Sequence, residues 1–91
     1  MAKRTNLTKV LGEVIRGLRI DRKLSQEAFA EAVGVHRTYV GFIERGEKSI
    51  TVETANAISL ALGVNLSTLF EEVEFRRNAI DTAFKSPKIR K

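Results

Sequence analysis

Residues 36–49 read HRTYVGFIERGEKS, and several of them suit directional contact with flat or anionic groups. Arg37 carries a planar guanidinium whose forked N–H groups match paired acceptors on an aromatic edge or the oxygens of a phosphate. Thr38 offers a hydroxyl beside a methyl, and Tyr39 an aromatic body with a hydroxyl at its tip. Arg45, Lys48 and Ser49 follow as anion contacts. Covalent and acid–base chemistry find no comparable set. The chain has no Cys and a single His, His36, so no thiol nucleophile is available and no zinc cluster is expected. It also lacks a Gly-rich phosphate loop and a Ser–His–carboxylate set. We therefore expect a binding protein, with no enzymatic activity, cofactor or metal.

The charge pattern suggests what is bound. The chain has 91 residues, 16 Lys+Arg and 11 Asp+Glu, and a formal charge of +5. Residues 1–48 hold ten basic and six acidic side chains. Residues 49–75 hold four acids (Glu53, Glu71, Glu72, Glu74) and no base. Residues 76–91 hold six bases against Asp81 alone. Basic, acidic, basic is the order, and basic segments suit a polyanion, either nucleic acid or an anionic membrane surface. A charge of this size also simply favours solubility. No apolar run approaches the roughly 18 residues of a membrane span, and MAKRTN lacks the apolar core of a secretion signal. A soluble cytoplasmic protein is expected.

The elements that must position these residues are helical. Leu7, Val10, Leu11, Val14, Ile15 and Leu18 form one amphipathic stripe, giving a first helix to about Ile20. Ser25 caps a second helix that buries Phe29, Ala30 and Val33 and stops at Gly34. A third, about Arg37 to Arg45, buries Val40 and Ile43 and stops at Gly46. Thr51 caps a fourth, with Val52, Ala55, Ile58 and Leu62 inward and Gly63 closing it. Asn65 caps a fifth carrying Leu66, Leu69 and Phe70. Val73, Ile80 and Phe84 share a face, which suggests a sixth helix to about Phe84, ahead of a basic tail begun by Ser86-Pro87. The expected architecture is all-α, with residues 1–74 as the domain and 75–91 as a C-terminal helix and tail.

Helices 2 and 3 are separated by only Gly34-Val35-His36. Ala30 permits their close approach and Val35 plugs the turn. With Val40 and Ile43 inward, Arg37, Thr38, Gly41 and Phe42 face outward. That is how a helix-turn-helix presents its second helix to base edges in a major groove. The segment SQEAFAEAVGVHRTYVGFIERGEKSITVETANAISLALGVNLSTLF resembles the Cro/phage-repressor (Xre-type) helix-turn-helix family. Within it, HRTYVGFIERGEKSIT is similar to the small controller proteins of restriction–modification systems. The resemblance covers residues 7–70 and implies a five-helix, lambda-repressor-like domain. It also implies a regulator that binds a palindromic double-stranded DNA operator as a homodimer.

Arg37 and Thr38 are the candidates for base reading, Arg37 by bidentate contact to guanine and Thr38 by hydroxyl or methyl. Arg37 also has a plainer reading as a phosphate contact, and Tyr39, a phosphate candidate through its hydroxyl, has one as packing alone. Gly41 and Phe42 depart from the family pattern, which commonly has polar side chains at both places. Gly41 either lets DNA approach closely or is a tolerated weakness. Phe42 either meets thymine methyls or packs against its own chain. Gln26, at the start of helix 2, is implied by the resemblance to hold a phosphate. His36, Tyr39, Arg45, Lys48 and Ser49 are further phosphate candidates, with Lys3, Arg4 and Lys9 as an arm. The resemblance also implies a structural ion pair between Glu44 and Arg19.

Leu60, Leu66, Leu69, Phe70 and Val73 are the candidate dimer interface, an apolar patch through helix 5. RNA polymerase and a toxin protein are left open as further partners. The latter belongs to an alternative reading, an antitoxin that regulates its own synthesis. A non-specific nucleic-acid binder is the third reading.

Overall fold

The computed structural model describes residues 6–84, and every regular element among them is an α-helix. These are α1 (Leu7–Asp21), α2 (Gln26–Val33), α3 (Arg37–Glu44), α4 (Val52–Leu62) and α5 (Leu66–Phe84). The all-α architecture read from the sequence is the one observed. The arm residues Lys3 and Arg4 and the tail from Lys85 lie outside the described residues.

Short polar side chains start the helices by accepting hydrogen bonds from N–H groups that have no partner within the helix. Asn6 Oδ1 takes Thr8 N at 3.0 Å, Ser25 Oγ takes Ala28 N at 3.0 Å, and Thr51 Oγ1 takes Thr54 N at 3.1 Å. Helix α2 ends on Gly34 at φ 93°, a left-handed conformation that costs a residue without Cβ little.

Helix α1 crosses the middle of the molecule and packs against α3, α4 and α5, while α2 packs against α3 and α4. Ile15, Phe29, Val40, Ile58 and Leu69 are the most buried apolar side chains, one from each helix. A close backbone approach seats α3 on α1. A Cβ on Gly12 would strike the carbonyl oxygen of Ile43 and lie 2.8 Å from that of Glu44. The end of α3 is tied to α1 again at Gly46, where a Cβ would lie 2.7 Å from Lys9 Cα.

The fifth and sixth helices expected from the sequence are a single helix, α5. No Gly or Pro stands between Val64 and Phe84, so nothing interrupts it. The boundary drawn after Glu74 falls inside this helix. Ile80 packs against the common core, which holds the second half of α5 on the body.

Candidate nucleic-acid interface

The turn between α2 and α3 is closed by backbone bonds. Gly34 N and Val35 N both donate to Ala30 O, at 2.8 and 3.0 Å, and the half-buried Val35 packs on the core. His36 caps α3, its Nδ1 accepting from Thr38 N at 3.1 Å. In a neutral ring that role places the proton on Nε2, leaving it as a donor. Arg37 and Thr38 follow immediately and are both exposed. Tyr39 is half-buried, its ring packed on the core.

The inner face of α3 holds a charged hub. Arg19 Nε lies 2.6 Å from Glu44 Oε2, and Arg19 Nη2 donates to Glu44 Oε1 at 3.0 Å. Arg19 Nη1 donates to Leu24 O at 2.7 Å. Only 10% of the Arg19 side chain and 3% of the Glu44 side chain remain accessible. Gln26, expected as a phosphate contact, turns its amide to this hub in the structure and donates from Nε2 to Glu44 Oε1 at 3.0 Å. A carboxylate this buried needs several donors to replace water, and Gln26 is within reach at the start of α2.

The outer face of α3 corrects a second expectation. Gly41 is not an exposed gap; it is buried, because Arg45 one turn on folds back over it. A Cβ at Gly41 would lie 3.2 Å from Arg45 Nη1. Side chains on a helix lean toward its N-terminus, so a residue four places later covers the earlier turn. Phe42 is half-buried and carries two cations, with Arg45 Cζ 5.3 Å and Lys48 Nζ 5.7 Å from the ring centroid. Glu47 Oε2 accepts from Arg45 Nε at 3.1 Å in an exposed pair. Lys48 and Ser49 are exposed beyond it. Arg37, Thr38, Arg45, Lys48 and Ser49 are thus all exposed, on α3 and the segment that follows it, and Ser49 also borders a cleft lined by Leu7, Val52 and Phe70.

A family model described as Helix-turn-helix matches residues 15–69, more than half of the chain. The chain belongs to the helix-turn-helix family. Among its relatives, control protein C.SmaI of Serratia marcescens is 38% identical over 64 residues, spanning 70% of this chain and 76% of that protein. Control protein C.BamHI of Bacillus amyloliquefaciens is 34% identical over 67 residues, spanning 72% of this chain and 83% of that one. In structure, the chain is similar to the restriction–modification controller protein C.Esp1396I, solved as a tetramer with its natural 35 base-pair operator. There the TM-score is 0.73 at 28% identity, with 84% of this chain and 99% of that chain covered.

Within this helix-turn-helix domain, two of the five residues read as a dimer patch are core. Leu69 is 0% and Val73 4% accessible, and both belong to the apolar cluster that joins α5 to the other helices. They point inward because α1 packs along α5. Leu66 is half-buried, whereas Leu60 and Phe70 are exposed. Val52, expected inward on α4, is exposed, and Phe75 is a further exposed apolar side chain that sequence reasoning missed. Leu7, Val52 and Phe70, all exposed, line one mostly apolar cleft of about 260 Å³ together with Leu11 and Ile50. A further residue missed is Arg22, whose Nε donates to Leu62 O at 2.5 Å and closes the end of α4. Its place at the end of α1 gave no signal, since the contact spans 40 positions. Among the described residues, no helix is long and apolar enough to cross a membrane.

Proposed function

We propose that this chain is a sequence-specific, double-stranded-DNA-binding transcriptional regulator that works as a homodimer in the cytoplasm and controls a restriction–modification operon. The observation that carries the reading is the α2–α3 pair, rigidly closed at its turn, with Arg37 and Thr38 exposed at the start of α3. In the major groove, Arg37 takes a guanine edge and Thr38 a neighbouring base or thymine methyl. His36 Nε2, the Tyr39 hydroxyl, Lys48 and Ser49 hold the flanking phosphates, which fix orientation rather than sequence. Gln26 acts on this surface chiefly through Glu44, by bracing the start of α2 against α3. The relatives' printed names, control and controller proteins, support the regulatory assignment.

The dimer uses the apolar side chains that α4 and α5 leave exposed. The cleft shared by Leu7, Val52 and Phe70 is the natural centre, since burying apolar surface favours association. A two-fold pair then places two α3 helices about 34 Å apart, one helical turn of DNA. An activating role would add contact with RNA polymerase, read out by transcription from the isolated promoter with and without the protein. No observation favours the antitoxin reading.

Selection of bound sites from a random DNA library, followed by salt titration, tests the function. The expected result is a palindromic consensus bound at least ~10³-fold more tightly than scrambled DNA. Equal affinity and equal salt dependence for both DNAs would overturn it.

A further inference from the structure

The centre of the exposed face of α3 has no side chain of its own. Arg37, Thr38, Gly41 and Arg45 share that face by helical spacing, and Gly41 stands in the middle of it. The space that a side chain at 41 would fill is taken by the Arg45 guanidinium, with Nη1 3.2 Å and both Cζ and Nη2 3.9 Å from an ideal Cβ there. Three contacts hold the guanidinium in that position. The Phe42 ring supports it at 5.3 Å, Glu47 accepts its Nε at 3.1 Å, and the bare backbone of Gly41 lies beneath. Nε is engaged by Glu47, and among the described residues no hydrogen bond is made by the two terminal nitrogens, which form the open edge of the fork. That edge is the one that pairs bidentately with guanine O6 and N7. Arg45 is still 57% accessible along its side chain, so the fork is held in place and reachable.

We propose that Arg45 is a base-reading, specificity-determining residue, acting from the place of the side chain that Gly41 lacks. Gly41 and Phe42 are its positioning residues. The proposal rests on the DNA-binding reading above and goes beyond it by moving Arg45 from a phosphate contact to a reader. It also gives Gly41 and Phe42 a shared purpose, in place of separate contacts to DNA. The Phe42 ring confines a guanidinium that would otherwise sample many rotamers, so less freedom is lost when it meets a base.

The test is site selection from a random duplex library with the full-length wild-type chain, Arg45→Ala and Gly41→Ala, each checked for thermal unfolding. Arg45→Ala is expected to relax preference at one base pair per half-site by about tenfold or more, leaving the other positions intact. Gly41→Ala is expected to melt at the same or a higher temperature, since Ala favours helix over Gly, yet to relax the same base pair. Its methyl, 3.2 Å from Nη1, makes the guanidinium give by a few tenths of an ångström, enough to misalign a bidentate contact without disturbing the core. If Arg45→Ala weakens all sequences alike, shallows the salt slope by about one and keeps the consensus, Arg45 is a phosphate contact and the proposal is overturned. If Arg45→Ala relaxes the base pair and Gly41→Ala does not, the positioning part is overturned. If the wild type itself selects no consensus, the DNA-reading assignment fails first and this proposal with it.

Discussion

Two Arg–Glu pairs meet at the C-terminal end of α3, one buried beneath it and one exposed, made of the same functional groups and built to different ends. Arg19–Glu44, beneath α3, is buried, bidentate and supplemented by Gln26 and the Leu24 carbonyl. Arg45–Glu47, on the outer side, is a single exposed contact of 3.1 Å. The inner pair has exchanged its water for fixed partners, so loss of one partner strands a charge in a low-dielectric surrounding. The outer pair stays solvated and contributes at most ~1 kcal/mol to stability, so it orients Arg45 without supporting the fold. Burial, not residue type, makes one pair structural and leaves the other available to a partner.

The largest effect expected is at the centre of the inner pair. Glu44→Ala should lower unfolding stability by about 3–5 kcal/mol in urea denaturation, taking DNA binding with it through loss of the fold. A milder result, under ~1 kcal/mol, would break the comparison by showing the hub to be as dispensable as the surface pair. Gln26→Ala removes a hydrogen bond to a charged acceptor, and a loss of about 1.5–3 kcal/mol is expected in the same measurement. Had Gln26 served only a phosphate, stability would not move and only affinity would fall.

On the outer side, Glu47→Gln should leave stability within ~1 kcal/mol of wild type. It should also strengthen binding to scrambled DNA at low salt, because it removes a negative charge from the polyanion's side of the molecule. Fluorescence anisotropy at two salt concentrations reads this directly. The smallest expected effect on folding is at Phe75, which is 74% accessible and makes no part of the core cluster. Phe75→Ser should change stability by about 0.5 kcal/mol or less. Sedimentation then tells whether Phe75 adds to the dimer formed around Phe70 and Val52.

The sequence made the helical layout legible wherever caps and glycines were local. Ser25, His36 and Thr51 each accept from an N–H two or three residues on, and Gly34 and Gly63 end helices in the left-handed conformation. Such signals act over one turn, so a linear reading captures them. Inside and outside on α5 were harder. Leu69, Phe70 and Val73 are all apolar, and only the packing of α1 decides which of them is covered. The position of Arg45 over Gly41 was not legible for a different reason. A long flexible side chain has many rotamers, and its choice depends on Phe42 and Glu47 together. The bond from Gln26 to Glu44 was not legible because the two residues lie 18 positions apart on different helices.

The burial of Leu69 and Val73 has a consequence for the order of assembly. The α2–α3 pair closes across a turn of three residues and needs little loop entropy, whereas the α1–α5 contact joins the two ends of the described chain. Val10, Val14 and Ile15 belong to the apolar cluster that also holds Leu69 and Val73, so that cluster is complete only once α5 has joined α1. The helix pair read as DNA-binding is therefore assembled from contacts near in sequence, whereas the α1 face on which α3 rests shares its core with a helix far along the chain.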